Sequence, residues 1–321
     1  MQPTAIRRLL NIPAPGTTHE RGETLSNLTS ALQVFELDLV NSPGNEKPAA
    51  REEIRRTNSQ MSKQLNSFRV LYSTIDAVQI DDVIEIFEQW ISNRTRTHYI
   101  AFCNVHMVME AYNNAYFNRA LSSADLVVPD GMPLVWAGRR HGFHLPRRVY
   151  GPDLFLEFCQ ATAAKGYRHF LFGGHPGVPE IVADRLTRLC PGLQIAGTCS
   201  PPFRDHASAE HSEMIAQINN SGADVLWVAL GCPKQELWMH ENRHCLNVPV
   251  VAGVGQAFDL YAGRARQAPP WTRDSGLEWL FRLFSNPRRL WRRYLVYNTQ
   301  FLCCLALDGL GLLEADNPLD N

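Results

Sequence analysis

From residue 68 onward, short runs of β-branched and aromatic residues alternate with longer stretches in which apolar positions return every three or four residues. The first pattern predicts strands buried on both faces, and the second predicts amphipathic helices packed over them. Strands are expected over residues 68–72, 98–103, 126–128, 169–172, 194–198, 225–229 and 248–254. Helices are expected over 75–91, where Val83, Ile84, Phe87, Trp90 and Ile91 fall at helical spacing, and over 107–120, 152–165, 179–190, 207–220 and 234–244. This alternation predicts an α/β fold: a Rossmann-like, mainly parallel sheet with helices on both faces, whose ligands collect at the carboxyl ends of the strands.

Two regions depart from the pattern. Residues 1–67 are rich in Asn, Ser, Thr, Pro and charge, with one short apolar patch at 32–37, and a disordered extension is expected there. The core then spans 68–263. Beyond Gly263 the composition changes: over 264–293, Arg264, Arg266, Arg273, Arg282, Arg288, Arg289, Arg292 and Arg293 are accompanied only by Asp274 and Glu278. Residues 264–321 therefore read as a helical appendage. Pro287 should divide it into two helices, because proline is tolerated in the first turn of a helix and not in its interior. In the second of these Leu290, Tyr294, Tyr297 and Phe301 form one stripe, with Trp291, Leu295 and Leu302 beside it and arginines on the other side.

Charge narrows the function classes. The formal net charge of -1 over 321 residues argues against a surface built to grip nucleic acid, so any basic role is local. The eight cysteines include no C-x-x-C pair, which removes the usual zinc-knuckle and thioredoxin spacings and predicts small core residues in a reducing compartment. Arg7 and Arg8 are not followed by an apolar segment, and no apolar run reaches the roughly 20 residues that span a bilayer. A cytoplasmic location is expected.

Candidate chemistry sits at strand ends. Asn104 follows one expected strand and Asp130, in Val127-Val128-Pro129-Asp130-Gly131-Met132-Pro133, follows the next. Asp130 at that place is suited to accept a proton from an attacking hydroxyl. Taken alone, Asp130-Gly131 equally makes a turn and Asn104 equally caps a helix. Phe172-Gly173-Gly174 runs from a strand into glycines and a helix start, an arrangement that lets a diphosphate approach the backbone, or simply a tight turn. Gly231-Cys232-Pro233-Lys234-Gln235-Glu236 opens another helix: Lys234 suits phosphate and Gln235 and Glu236 suit a sugar or base edge, while glutamate in a first turn is also ordinary helix stabilisation. Asp259 closes a further glycine-containing strand end, and Arg148 with Asp153 serves either the same crevice or a structural ion pair.

In conjunction these segments resemble the WecG/TagA/CpsF glycosyltransferases. The resemblance rests on Asn104, Pro129-Asp130-Gly131, Arg148-Val149-Tyr150-Gly151-Pro152-Asp153-Leu154, Phe172-Gly173-Gly174, Gly231-Cys232-Pro233-Lys234-Gln235-Glu236, Phe258-Asp259-Leu260-Tyr261-Ala262-Gly263, Leu277-Glu278-Trp279 and Asn286-Pro287-Arg288, in that order over residues 68–302. It implies a Rossmann-like glycosyltransferase fold of the GT-E type. It also implies inverting transfer from a UDP-sugar (N-acetylmannosamine, its uronic acid or glucose) to a sugar on a polyprenyl diphosphate, without metal or other cofactor, in bacterial polysaccharide biosynthesis. By the resemblance Asp130 is the general base with Asn104 beside it. The expected substrate-binding set is Asn104, Arg148, Asp153, Gly173, Gly174, Lys234, Gln235, Glu236, Asp259, Arg266, Arg282 and Arg289, and a UDP-sugar lying over the strand ends is expected to bring its diphosphate near the two glycines and the appendage arginines. Peripheral attachment to the inner face of the membrane is expected from the lipid acceptor and the Arg-plus-Trp appendage, and a homodimer from the family. Two departures stand out. Phe102 occupies a place where many members have Thr, and Arg266-Gln267-Ala268-Pro269-Pro270-Trp271 replaces the order Arg-Ala-Pro-x-Trp, leaving Arg266 to stand in for the arginine.

Two other classes fit a Rossmann-like layout. An NAD-dependent or nucleotide-sugar-modifying enzyme needs G-x-G-x-x-G after its first strand, and the first strands carry no such loop. A non-enzymatic membrane scaffold would use the basic aromatic tail and leave the polar strand ends without a purpose.

Overall fold

The computed structural model describes residues 65–201 and 208–312. Of the extension expected over 1–67, residues 1–64 lie outside that range, while Ser67 already begins the first strand. The run expected as one strand and the start of one helix is instead an antiparallel hairpin, β1 (Ser67–Val70) and β2 (Ser73–Asp76). Leu71, at φ 53°, makes the reversal, and Phe68, Val70 and Ile75 are all buried. Ile75 fits helical spacing and strand alternation equally well; the tight turn before it decides for the strand. Asp76 fixes the hairpin to the main sheet by accepting a bond from the Val127 N–H at 2.8 Å.

The helix expected from 75 begins later, as α1 (Ile80–Asn93), where Gln79 and Asp82 form a capping box. It is followed by β3 (His98–Cys103), α2 (Val105–Asn113), α3 (Ala115–Ser122), β4 (Leu126–Pro129) and α4 (Met132–Arg140). The single helix expected over 107–120 is broken because Asn114 leaves helical geometry and caps α3, its side chain accepting from the Tyr116 and Phe117 N–H groups. Then come α5 (Gly151–Thr162), β5 (Arg168–Gly173), α6 (Val178–Leu189), β6 (Gln194–Cys199), α7 (Ser208–Asn220), β7 (Val225–Ala229), α8 (Lys234–Asn242), β8 (Val250–Gly253) and α9 (Ala257–Tyr261).

The six strands β3–β8 lie in the order β4-β3-β8-β7-β5-β6, with every pair parallel. Alternate residues feed opposite faces. Ile100, Phe102, Val225, Trp227, Val250 and Ala252 join α1, α5 and α6 in one core. Ala101, Cys103 and Val127 join the hairpin, α2, α3 and α4, and Tyr99, Leu226, Val228 and Val251 meet α7 and α8. Trp227 is the largest fully buried side chain; Phe155 meets its ring edge-on at 4.7 Å, and its indole N–H donates to His169 Nδ1 at 3.0 Å. Both strand faces are therefore covered, as a parallel sheet requires.

The tail contains α10 (Pro270–Asp274), α11 (Glu278–Ser285), α12 (Pro287–Trp291), a π-helical turn at Arg292–Val296 and α13 (Tyr297–Gly309). Pro287 does start a new helix, at its N1 position. From the expected stripe, Leu290 and Phe301 are buried, and Phe301 and Cys304 belong to the core formed with α2 and the hairpin. Gly276, at φ +76°, lets the turn before α11 lie against Trp136: a Cβ there would come within 2.7 Å of the indole. No helix among the described residues is long and apolar enough to cross a membrane.

Candidate active site

β3 and β4 are neighbours in register, Cys103 opposite Pro129, so the residues that follow them emerge side by side. Asn104 caps α2, its Oδ1 accepting from the His106 N–H at 3.1 Å and the Met107 N–H at 3.4 Å. Its Nδ2 is thereby turned outward and donates to Asp130 Oδ2 at 3.4 Å. The capping and site readings of Asn104 are thus one geometry. Asp130 Oδ1 accepts from the Gly151 N–H at 3.4 Å, at the start of α5. Gly131 lies so close to Asn104 that a Cβ would sit 3.3 Å from the Asn104 Cβ.

Cations surround this carboxylate. Arg148 Nη1 donates to the Asp130 carbonyl at 3.3 Å, and its guanidinium lies 4.2 Å from the centre of the Tyr150 ring. Arg148 also forms an ion pair with Glu278 of α11. Arg282, one turn further along, donates to Glu278 through Nε at 2.7 Å and to the Tyr150 hydroxyl at 3.0 Å. Burial pushes the Asp130 carboxyl above the ordinary carboxylate range, against the opposing pull of Arg148 and Arg282. A carboxylate so placed is a stronger base than one in water. For Glu278 burial acts in the same direction, but its two arginines outweigh it and hold the group below its ordinary value.

Asn104, Asp130, Arg148, Glu278 and Arg282 line a cleft of about 1030 Å³ between the ends of β3 and β4, α4 and the tail. Trp136, Phe301, Leu302, Leu305 and Leu310 give part of its lining an apolar character. Asn104, Asp130, Arg148 and Arg282 of the expected set meet there. Asp153 is one step removed, 3.6 Å from Arg273, which does line the cleft.

The other expected residues lie elsewhere. Gly173 and Gly174 are three strands away from β3 and do not line the cleft. Gly173, at φ +112°, passes so close to β7 that a Cβ would meet the Ala229 carbonyl oxygen at 2.5 Å. Gln235 is buried in backbone contacts, accepting from the Gly231 N–H at 3.2 Å and donating to the Gly253 carbonyl at 2.8 Å and to Glu236 at 2.7 Å. Glu236 is buried beside it, and Lys234 is exposed at the start of α8. Asp259 pairs with Arg264 at 3.6 Å on the surface, and Arg266 is exposed. The Arg289 side chain falls outside those described.

The model of the family described as Glycosyl transferase WecG/TagA/CpsF matches residues 68–314. The chain belongs to that family. It is a glycosyltransferase, and the oxidoreductase alternative is set aside: α2 starts directly after β3 at Asn104-Val105, with no glycine loop between them. An N-acetylglucosaminyldiphosphoundecaprenol N-acetyl-β-D-mannosaminyltransferase of Bacillus spizizenii is 33% identical over 224 residues, covering 68% of this chain and 85% of its own length. The Bacillus subtilis protein of the same name is 32% identical over 196 residues, covering 61% of this chain and 74% of its own.

Three contributors to the site escaped the sequence reading: Tyr150, Glu278 and the helix α4. Tyr150 and Glu278 stand inside the motifs that carry the family resemblance, so their signal was present without a role. Met132–Arg140 is a helix of only nine residues, with Pro133 in its first turn, for which no helix was expected, yet it supplies Met132, Trp136 and Arg140 to the cleft.

Proposed function

We propose that the protein transfers a sugar from a UDP-sugar to a sugar carried on a polyprenyl diphosphate, with inversion, and that Asp130 is the general base. The observation that carries this reading is the Asp130 carboxylate, fixed by Asn104 and Gly151 and raised in basicity by burial, in a cleft lined by both guanidiniums and apolar side chains. The acceptor hydroxyl oxygen attacks the anomeric carbon while its proton passes to Asp130. The bond from that carbon to the diphosphate breaks, and UDP leaves with the bonding pair.

Arg148 and Arg282 meet the negative charge that develops on the leaving diphosphate, since a guanidinium presents several donors in a fixed plane. On this reading the donor diphosphate lies nearer the tail than the Gly173-Gly174 turn. The apolar part of the lining suits the first isoprene units of the lipid, and the cleft is at the upper limit of ordinary small-molecule sites, large enough for two substrates. The relatives' names favour N-acetylmannosamine as the sugar moved and an N-acetylglucosaminyl diphosphate lipid as acceptor.

Access to such a lipid requires a membrane surface. Trp271, Phe284 and Trp291 are exposed at 68%, 76% and 45%, and Arg288 and Arg292 are exposed near them in sequence, a composition suited to the interface of anionic lipid at the cytoplasmic face.

The test is transfer by the full chain to a synthetic N-acetylglucosaminyl diphosphate polyprenol from UDP-N-acetylmannosamine, its uronic acid and UDP-glucose. Transfer from the first is expected, and failure with all three rejects the reading.

A further inference from the structure

Glu278 has no part in the chemistry just described, yet it is among the most enclosed charges in the cleft. It opens α11 at 6% exposure, where a carboxylate loses its hydration and must be held by cations. Arg148 holds one oxygen and Arg282 the other. Both guanidiniums continue toward the base: Arg148 to the Asp130 carbonyl, and Arg282 to the hydroxyl of Tyr150, whose ring lies against Arg148. Asp130, Arg148, Glu278 and Arg282 thus form a row of alternating charge that links the tail to the end of β4.

We propose that Glu278 is a positioning residue: its carboxylate fixes Arg148 and Arg282 beside the base and offsets part of their positive charge at Asp130. The inference rests on Asp130 being the base. Glu278 does not touch the reacting atoms. It balances two needs of the site, cations close enough to receive the leaving diphosphate and a carboxylate that still accepts a proton.

The groups that act on Asp130 define the expected sign. Asn104 faces it from the end of β3, with Cys103 just before; the Gly151 N–H, Arg148 and Tyr150 face it from the start of α5; Arg282 and Glu278 face it from α11. Burial raises Asp130, Arg148 and Arg282 lower it, and Glu278 raises it. Around Glu278 itself stand Arg148, Arg282, Tyr150, Asp130 and, further off, Asp153. Removing its charge leaves two guanidiniums acting on Asp130 with less opposition, so Asp130 ionises at lower pH and takes a proton less readily.

The experiment is the acid limb of kcat/KM against pH for wild type, Glu278→Gln, Arg282→Gln and the double variant, with thermal unfolding recorded for each. Glu278→Gln should move the limb down by about one pH unit and lower kcat about tenfold, and Arg282→Gln should move the limb up. The double variant should return the limb close to wild type while remaining slow. Should Glu278→Gln leave too much unbalanced charge to fold, the same comparison is made between Arg282→Gln and the double variant, which differ only at Glu278. A folded protein whose limb does not move when Glu278 is neutralised overturns the proposal, because a carboxylate that only held α11 in place would lower stability and leave the limb where it was. Near-wild-type turnover in Asp130→Asn overturns the base assignment as well; an inactive Asp130→Asn with an unmoved Glu278→Gln limb overturns the role of Glu278 alone.

Discussion

At the ends of β3 and β4, Asn104 and Asp130 turn polar atoms into an open cleft; at the ends of β5 and β7, Gly173, Gly174 and Gln235 turn theirs into the surrounding backbone. In sequence the two regions look alike, since each is a hydrophobic run ending in Gly, Asn, Asp or Gln before a helix. The difference comes from what stands opposite. Facing β3 and β4 is the tail, which brings Glu278 and Arg282; facing Gly173 is the carbonyl of Ala229, close enough to leave no room for a side chain. On the proposed reading, similar residues serve chemistry in one place and chain packing in the other.

Substitutions at the two regions should separate accordingly. The largest effect is expected at Gly173→Ala, where an added Cβ meets backbone at 2.5 Å and φ is +112°; the loss should be about 3 kcal/mol in denaturant unfolding, with kcat of the folded fraction preserved. Also in the packing region, burial lowers His169 to about 4 from 6.5, so it is neutral in the fold. The unfolded chain binds a proton there below pH 6.5 and the folded chain does not. His169 thus contributes stability that is present above that pH and is lost as pH falls toward 4, up to about 3 kcal/mol. Urea midpoints over that window, compared with His169→Gln, should show that slope only in wild type.

In the cleft, Asn104→Ala removes both a helix cap and a bond to Asp130, the proposed base. A loss of about 1 kcal/mol in stability is expected together with a roughly tenfold fall in kcat, and a stability loss alone would move Asn104 into the packing class. The smallest effects are expected at Lys234→Ala, which is exposed, and Asp259→Ala, which is half-buried, both outside the cleft: stability should change by no more than about 0.5 kcal/mol and kcat should not change. A large rise in KM for the donor at Lys234→Ala would instead extend the donor site to the end of β7.

The sheet was legible because strands covered on both faces are short hydrophobic runs: β3 and β7 match the expected ranges to the residue. The hairpin was not, because Ile75 satisfies helical and strand periodicity alike and only the reversal at Leu71 separates them. The break at Asn114 was hidden by a helical pattern that runs through it. Asp130 and Asn104 were legible as a pair because each follows a strand directly. Glu278 was not, since an acid among arginines reads as one partner in a surface helix; its burial arises from folding α11 back over Arg148, which is 130 residues earlier in the chain.

The distinction between the two regions rests finally on Asp130. The direct measurement is single-turnover transfer by Asp130→Asn, with donor binding and thermal unfolding followed on the same preparation. At least a roughly hundredfold fall in rate is expected, with donor affinity and fold retained. Turnover close to wild type would contradict the base assignment.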